Sequence, residues 1–162
     1  LYTLARIEET WISTLLRESG LAFFTSLSIH SLAMALVVGI NVAVSLRLLT
    51  TNSTETYTGL DKLCPLHWLG VGFIFLSGIA LLLAYPAKAL TNPVFYVKVA
   101  SLGIGLIIAF KIQIRLQKTN PAINHSATKS LAASSLILWT VTIFTGRFLA
   151  YTNSVLLASR FY

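Results

Sequence analysis

The stretch Leu66–Tyr85, LHWLGVGFIFLSGIALLLAY, decides the fold. It holds no Asp, Glu, Lys or Arg, and Pro65 and Pro86 bracket it. A bilayer core of about 30 Å needs about 20 apolar residues wound as a helix. Pro65 opens the run cheaply, because the first N–H groups of a helix have no partner anyway. The segment therefore reads as a transmembrane helix. The composition of the whole chain agrees. Its 162 residues are 56% hydrophobic and 10% charged, with a mean hydropathy of +0.78. Soluble domains carry about 25% charged residues. A soluble globular fold and intrinsic disorder are both excluded. A single cysteine excludes a disulfide scaffold.

Three more apolar runs lie outward from this one. Leu21–Leu49 comes before it, interrupted by His30, Asn41 and Arg47. Pro93 to about Ile114 and about Lys129 to Tyr151 come after it. Ala87–Asn92 is a short link, which predicts antiparallel neighbours on either side of it. Thr50–Cys64 and Arg115–Thr128 are polar loops. Leu4–Glu18 places Leu4, Ile7, Trp11 and Leu15 at helical spacing, with Arg6, Glu9, Ser13 and Arg17 off that stripe. It predicts one amphipathic helix in the membrane interface, anchored by Trp11 and ended by Gly20. The expectation is an all-α membrane protein. Its parts are an interfacial helix (1–20), a four-helix transmembrane bundle (21–151) and an interfacial tail (152–162).

The net charge of +7 fits loops on one side of a membrane and requires no nucleic acid. Arg47, Lys62, Lys111, Arg115, Lys118 and Lys129 flank one side. Arg6, Arg17, Lys88 and Arg160 flank the other, diluted by Glu8, Glu9 and Glu18. The richer side faces the cytoplasm, and both termini are expected to be periplasmic in a bacterial inner membrane.

An ionisable residue inside a span costs roughly 2.5–3.5 kcal/mol on insertion scales, so each one is a functional candidate. His30 lies roughly 8 Å from the midplane on the N-terminal side. Lys98 in the third span falls at a similar depth. Arg147 in the fourth falls on the same side, nearer the interface. Asn41 is eleven residues from His30, close to three full turns, and shares its helical face. Thr140 and Arg147 are likewise two turns apart. Glycines in spans two and three (Gly70, Gly72, Gly78, Gly103, Gly105) permit close approach of a neighbour or a flat ligand.

Three like charges in a low dielectric cannot all persist without an anion: either Lys98 and His30 are neutral, or an acidic group joins them. No Asp or Glu lies within a span, so an external one is expected: a haem or porphyrin propionate, a quinone oxygen or a lipid phosphate, or a glutamate of the interfacial helix folded over the site. His30 is the candidate haem-iron ligand, with Lys98 and Arg147 holding propionates. The bland alternative has Lys98 and Arg147 snorkelling to the interface and His30 bonding a backbone carbonyl. His67 opens span two, roughly 20 Å deeper than His30, so the two cannot share one iron. Cys64-x-x-His67, with His125 on the same side, can bind copper or zinc, but two or three ligands without a carboxylate make a thin signal. Asn52-Ser53-Thr54 and Asn124-His125-Ser126 match a glycosylation sequon, on the side expected to be cytoplasmic. No nucleophile triad, phosphate loop, zincin motif or paired carboxylate appears in the sequence, which argues against hydrolytic chemistry.

Several motifs carry a resemblance. They are Arg17-Glu18-Ser19, His30-Ser31-Leu32 with Gly39, Leu46-Arg47-Leu48-Leu49, Pro65 to Gly70, and Ser77-Gly78. Asn92-Pro93-Val94-Phe95 with Lys98, and Trp139 with Gly146-Arg147-Phe148-Leu149-Ala150-Tyr151, complete the set. Nearly the whole chain resembles a family of bacterial four-helix membrane proteins. More distantly, His30 in span one and Lys98 early in span three look like the copper-resistance-D-like and HemJ-type protoporphyrinogen oxidase proteins. That resemblance implies a haem ligand at His30 and a site residue at Lys98. Relatives often carry His near the end of span three, where this chain has Lys111.

The resulting expectation is a haem b- or porphyrin-linked redox protein or subunit. Its site would face the outer leaflet, and it would pass electrons to or from quinone or a periplasmic partner. The alternative is a non-catalytic accessory subunit of a larger membrane complex, binding lipid or pigment. A copper-handling role is disfavoured by one Met and one Cys.

Overall fold

The computed structural model describes residues 2–50, 59, 61–117 and 125–152. Among them, every regular element is helical. α1 (Tyr2–Glu8) and α2 (Trp11–Glu18) precede α3 (Gly20–Thr50). A 3₁₀ turn, Asp61–Leu63, leads into α4 (Cys64–Ala84). α5 (Pro86–Leu90), α6 (Pro93–Gln117) and α7 (His125–Tyr151) follow. Four of these helices (α3, α4, α6 and α7) are long and apolar enough to cross a membrane, which fits a multi-pass membrane protein. The tail beyond Thr152, the sequon at Asn52, Asn124 of the second sequon and most of the loop after Thr50 lie outside the described residues.

α3 is the hinge of the architecture. It packs against α4 on one side and α7 on the other, and α7 packs against α6. Residue pairings fix the directions. An added Cβ on Gly78 would meet the His30 ring at 3.4 Å, and one on Gly70 would meet Val37 Cγ2 at 2.7 Å. Residue numbers thus rise along α4 as they fall along α3. Thr142 meets Ser101, and Trp139 meets Gly105, so α6 and α7 are also antiparallel. Two apolar clusters fill the centre. One joins Ala33, Val37, Val38, Val71, Ile74 and Trp139. The other joins Leu48, Ile112 and Ala132. α4 and α6 have no comparable backbone approach. Side chains close that fourth side: Trp68 Nε1 donates to Gln113 Oε1 at 2.8 Å.

The outer surface is apolar, as a lipid-facing surface must be. Phe73, Phe75, Leu76, Ile104, Ile107, Phe110, Ile137 and Phe144 are all exposed. None would be tolerated in such a band facing water.

The N-terminal segment departs from the single helix expected. It breaks at Glu9–Thr10 into α1 and α2. The Thr10 hydroxyl donates to the Ile7 carbonyl at 2.6 Å, giving the end of α1 a partner in place of another turn. Trp11, Ile12 and Leu15 are exposed on the outer face. The inner face carries Ala5, Glu8 and Ser13, all buried. Ser13 Oγ donates to the Leu83 carbonyl at 2.7 Å and so ties α2 to the last turn of α4. Ser19, rather than Gly20, divides α2 from α3. Its N–H closes α2 on Leu15, and its Oγ accepts from the Ala22 N–H at 3.3 Å to start α3. Gly20 is helical and has no left-handed φ. The short link after span two is itself one turn of helix, α5, started by Pro86.

Candidate functional site

His30 sits midway along the first half of α3, on the side that meets α4. Its Nδ1 lies 3.0 Å from Ser77 Oγ, and its ring also reaches the Ile74 carbonyl. The Ser77 hydroxyl hydrogen is committed to the Phe73 carbonyl one turn back. The Ser77 oxygen must therefore accept, and Nδ1 must carry the proton. This leaves the Nε2 lone pair of His30 uncommitted, with no hydrogen bond to it among the described residues. Gly78 lies beside the ring: a Cβ added there would meet the imidazole carbon between the two nitrogens at 3.4 Å, an ordinary contact.

Lys98 is the second member. It is half-buried, and its charge is felt at His30. Its aliphatic stem lies over Gly146 of α7, where an added Cβ would meet Cε at 3.6 Å and Nζ at 3.9 Å. Lys98 thus packs along the α7 backbone at Gly146, with ordinary contact distance to spare for a Cβ. The helices α3, α4, α6 and α7 all contribute to this one level.

Arg147 and Asn41 take different positions. Arg147 is exposed on α7, next to the glycine that supports Lys98. Thr140, two turns away, is exposed too and spends its hydroxyl on its own helix at Leu136. Asn41 is buried, and its amide donates to the Val37 carbonyl at 2.7 Å. It lies about 16 Å along α3 from His30 at 1.5 Å per residue, well removed from Lys98. The structure therefore brings His30 and Lys98 together and leaves Arg147 on the outer face of the same level.

His67 stands at the level of Asn41, because Gly70 opposes Val37 and each lies one turn away. A single iron cannot reach both His30 and His67. His67 is fully buried and meets the Gln113 amide at 3.3 Å. No group of three or more His, Cys, Asp or Glu that could hold a metal ion occurs among the described residues. The side chain of His125 lies outside them.

One imidazole with a fixed ring is a donor of the kind that would hold a haem iron. A hydrogen bond from the non-ligating nitrogen is the usual device for holding such a ring. The primary amine beside it suits a carboxylate, and the chain supplies none within its spans. His30 and Lys98 are thus of the donor types that a haem iron and a propionate would take. Sequence reasoning missed Ser77 as the partner of His30 and Gln113 as the partner of His67. Both are polar side chains inside apolar runs, which is the signal that marks them.

No curated protein and no solved structure matches this chain. A family model does match, over residues 11–152, described as a family of unknown function, DUF6644. With the match spanning all four long helices and α2, the chain belongs to that family.

Proposed function

We propose that this protein is a haem b- or porphyrin-linked redox protein of a bacterial inner membrane, or the redox subunit of a larger complex. In this reading both termini are periplasmic and the site lies in the outer half of the bilayer. The observation that carries the reading is the His30 Nδ1–Ser77 Oγ contact of 3.0 Å, which leaves Nε2 free to bind iron. The distant likeness of His30 and Lys98 to the copper-resistance-D-like and HemJ-type proteins supports it by analogy only.

When bound, a haem would supply one-electron transfer between ferrous and ferric iron, to or from quinone or a periplasmic partner. The residues of this chain do the rest. His30 would hold the iron. Ser77 would fix the ring and make its Nε2 a stronger donor. Lys98 would offset a propionate, a pairing that would make a lysine at this depth tolerable. The apolar helices around the pair lower the local dielectric, which strengthens both interactions.

The test is an optical spectrum of the detergent-purified chain, produced with ample haem supply, oxidised and dithionite-reduced. A Soret band present in the wild type and lost in His30→Ala is the expected result. A flat wild-type spectrum overturns the reading. The chain is then a non-catalytic accessory subunit, for which the broad apolar flanks of α4 and α6 would serve as docking faces, and co-purifying subunits become the object of search.

A further inference from the structure

The last turn of α7 gathers positive charge. Lys88 reaches across from α5, and its Nζ donates to the Ala150 carbonyl at 3.2 Å. Arg147 lies three residues before Ala150, so the two share a face of α7 one turn apart. Its side chain is exposed and makes no hydrogen bond or ion pair among the described residues. Lys98 lies against Gly146, at the next level inward. Ala150 and Gly146 differ in depth by only about 6 Å at 1.5 Å per residue, so these cations occupy one thin layer.

Nothing in this part of the chain balances them. From Lys62 to Tyr162 the sequence holds no Asp or Glu. Glu8, Glu9 and Glu18 belong to the α1–α2 segment, which packs on α3, α4 and α5. Neither Lys88 nor Arg147 forms an ion pair among the described residues. The carbonyl end of α7 supplies only about half a negative charge. Lys88 alone exceeds that, which leaves Arg147 without a counter-charge.

The level is that of lipid headgroups. α5 is the turn between two spans, and Tyr96, Phe148 and Tyr151 are exposed around it. Aromatic rings of this kind collect where a bilayer meets water. Toward the bilayer centre, Phe144, Thr140 and Ile137 share the face of Arg147, and all of them are exposed. α7 therefore presents a cation at the interface and a largely apolar strip running from it into the hydrocarbon.

The donors select the occupant. The guanidinium of Arg147 offers planar N–H groups that match two oxygens of a phosphodiester. Lys88 spends one ammonium hydrogen on Ala150 and keeps the others for a second acceptor. A zwitterionic headgroup would carry its own ammonium into a layer already in excess of positive charge. The headgroup of phosphatidylglycerol carries an uncompensated negative charge, and its acyl chains suit the strip below.

We propose that Lys88 and Arg147 bind the phosphate of one anionic phospholipid, whose acyl chains lie along Phe144 and Ile137 of α7. Lys98 strengthens the local positive potential from one level inward and remains available to the site at His30. The lipid site stands on its own groups and is independent of haem.

The experiment uses the full chain, delipidated in detergent, and native mass spectrometry with an equimolar mixture of dioleoylphosphatidylglycerol and dioleoylphosphatidylcholine. The wild type should retain one phosphatidylglycerol several-fold over phosphatidylcholine. Arg147→Gln and Lys88→Gln should each lower that preference, and the double variant should abolish it. Thermal melts without added lipid check that the variants keep the fold. Lys111→Gln, exposed toward the far end of α6, should leave the preference unchanged, as should His30→Ala. Equal retention of the two lipids by the wild type overturns the proposal. So does an unchanged preference in the folded double variant, or in both single variants. Displacement of the phosphatidylglycerol by millimolar inorganic phosphate would mark a site for a free anion and overturn the lipid assignment.

Discussion

The Nδ1 of His30 and the Oγ of Ser77 meet at 3.0 Å across the α3–α4 interface. Because Ser77 gives its hydrogen to Phe73, its oxygen can only accept. The same contact cross-links two helices that otherwise meet through apolar side chains and glycine. It therefore has a structural and a chemical consequence, which can be separated.

Ser77→Ala should lower stability by about 1 kcal/mol, the net worth of a typical internal hydrogen bond. Haem affinity, measured by titrating haem into the purified protein, should fall about 10–100-fold, as for other ligands deprived of their orienting partner. Ser77→Thr keeps the hydroxyl and should recover most of that affinity. An equal loss in both variants would show that packing alone is at stake.

Gly70→Ala should destabilise the bundle by about 1–3 kcal/mol, the usual effect of overfilling a packed core. The new Cβ would meet Val37 Cγ2 at 2.7 Å, inside any tolerable contact. Gly72→Ala meets nothing within 4 Å. It should be neutral or slightly stabilising, because alanine is the better helix former. Thermal melts of the two variants in one detergent check the contrast.

Ser13→Ala should detach α2 from the end of α4. The lost bond to the Leu83 carbonyl is the side-chain tie between them, worth about 1 kcal/mol. Amide exchange should rise across Trp11–Glu18 while the middle of α4 keeps its protection. Faster exchange throughout the bundle would mean instead that α2 supports the whole fold.

Gln113→Leu should strip Trp68 Nε1 and His67 Nδ1 of their partners together and cost about 1–3 kcal/mol. In nitrogen-15 spectra of histidine-labelled protein, His67 should appear in the wild type with its proton on Nε2. Its Nδ1 resonance should move in the variant while that of His30 stays put. An unmoved His67 resonance would contradict the assigned hydrogen bond.

Part of the site is legible in the amino-acid sequence. His30 and Lys98 stand out because a titratable group inside an apolar run is costly wherever it points, and counting residues is enough to place them at one depth. Arg147 falls at that level by the same count but turns outward, since depth alone does not report the face of a helix. Asn41 shares the helical face of His30 yet serves the opposite half of the bundle. The break at Thr10 leaves no trace in the pattern, because both halves of the segment keep the apolar spacing of one helix.

The four spans, the membrane as their solvent and the depth of each ionisable residue are properties of the sequence alone. They follow segment by segment from the cost of moving side chains into hydrocarbon. The packing of the helices is what puts α3 between α4 and α7 and sets Ser77 against His30. Lipid tails are as apolar as leucine, so no face of these helices is marked by hydrophobicity as the one that packs. Close fit at Gly70 against Val37, together with a few hydrogen bonds between helices, makes that choice, and neither can be read from a periodic pattern.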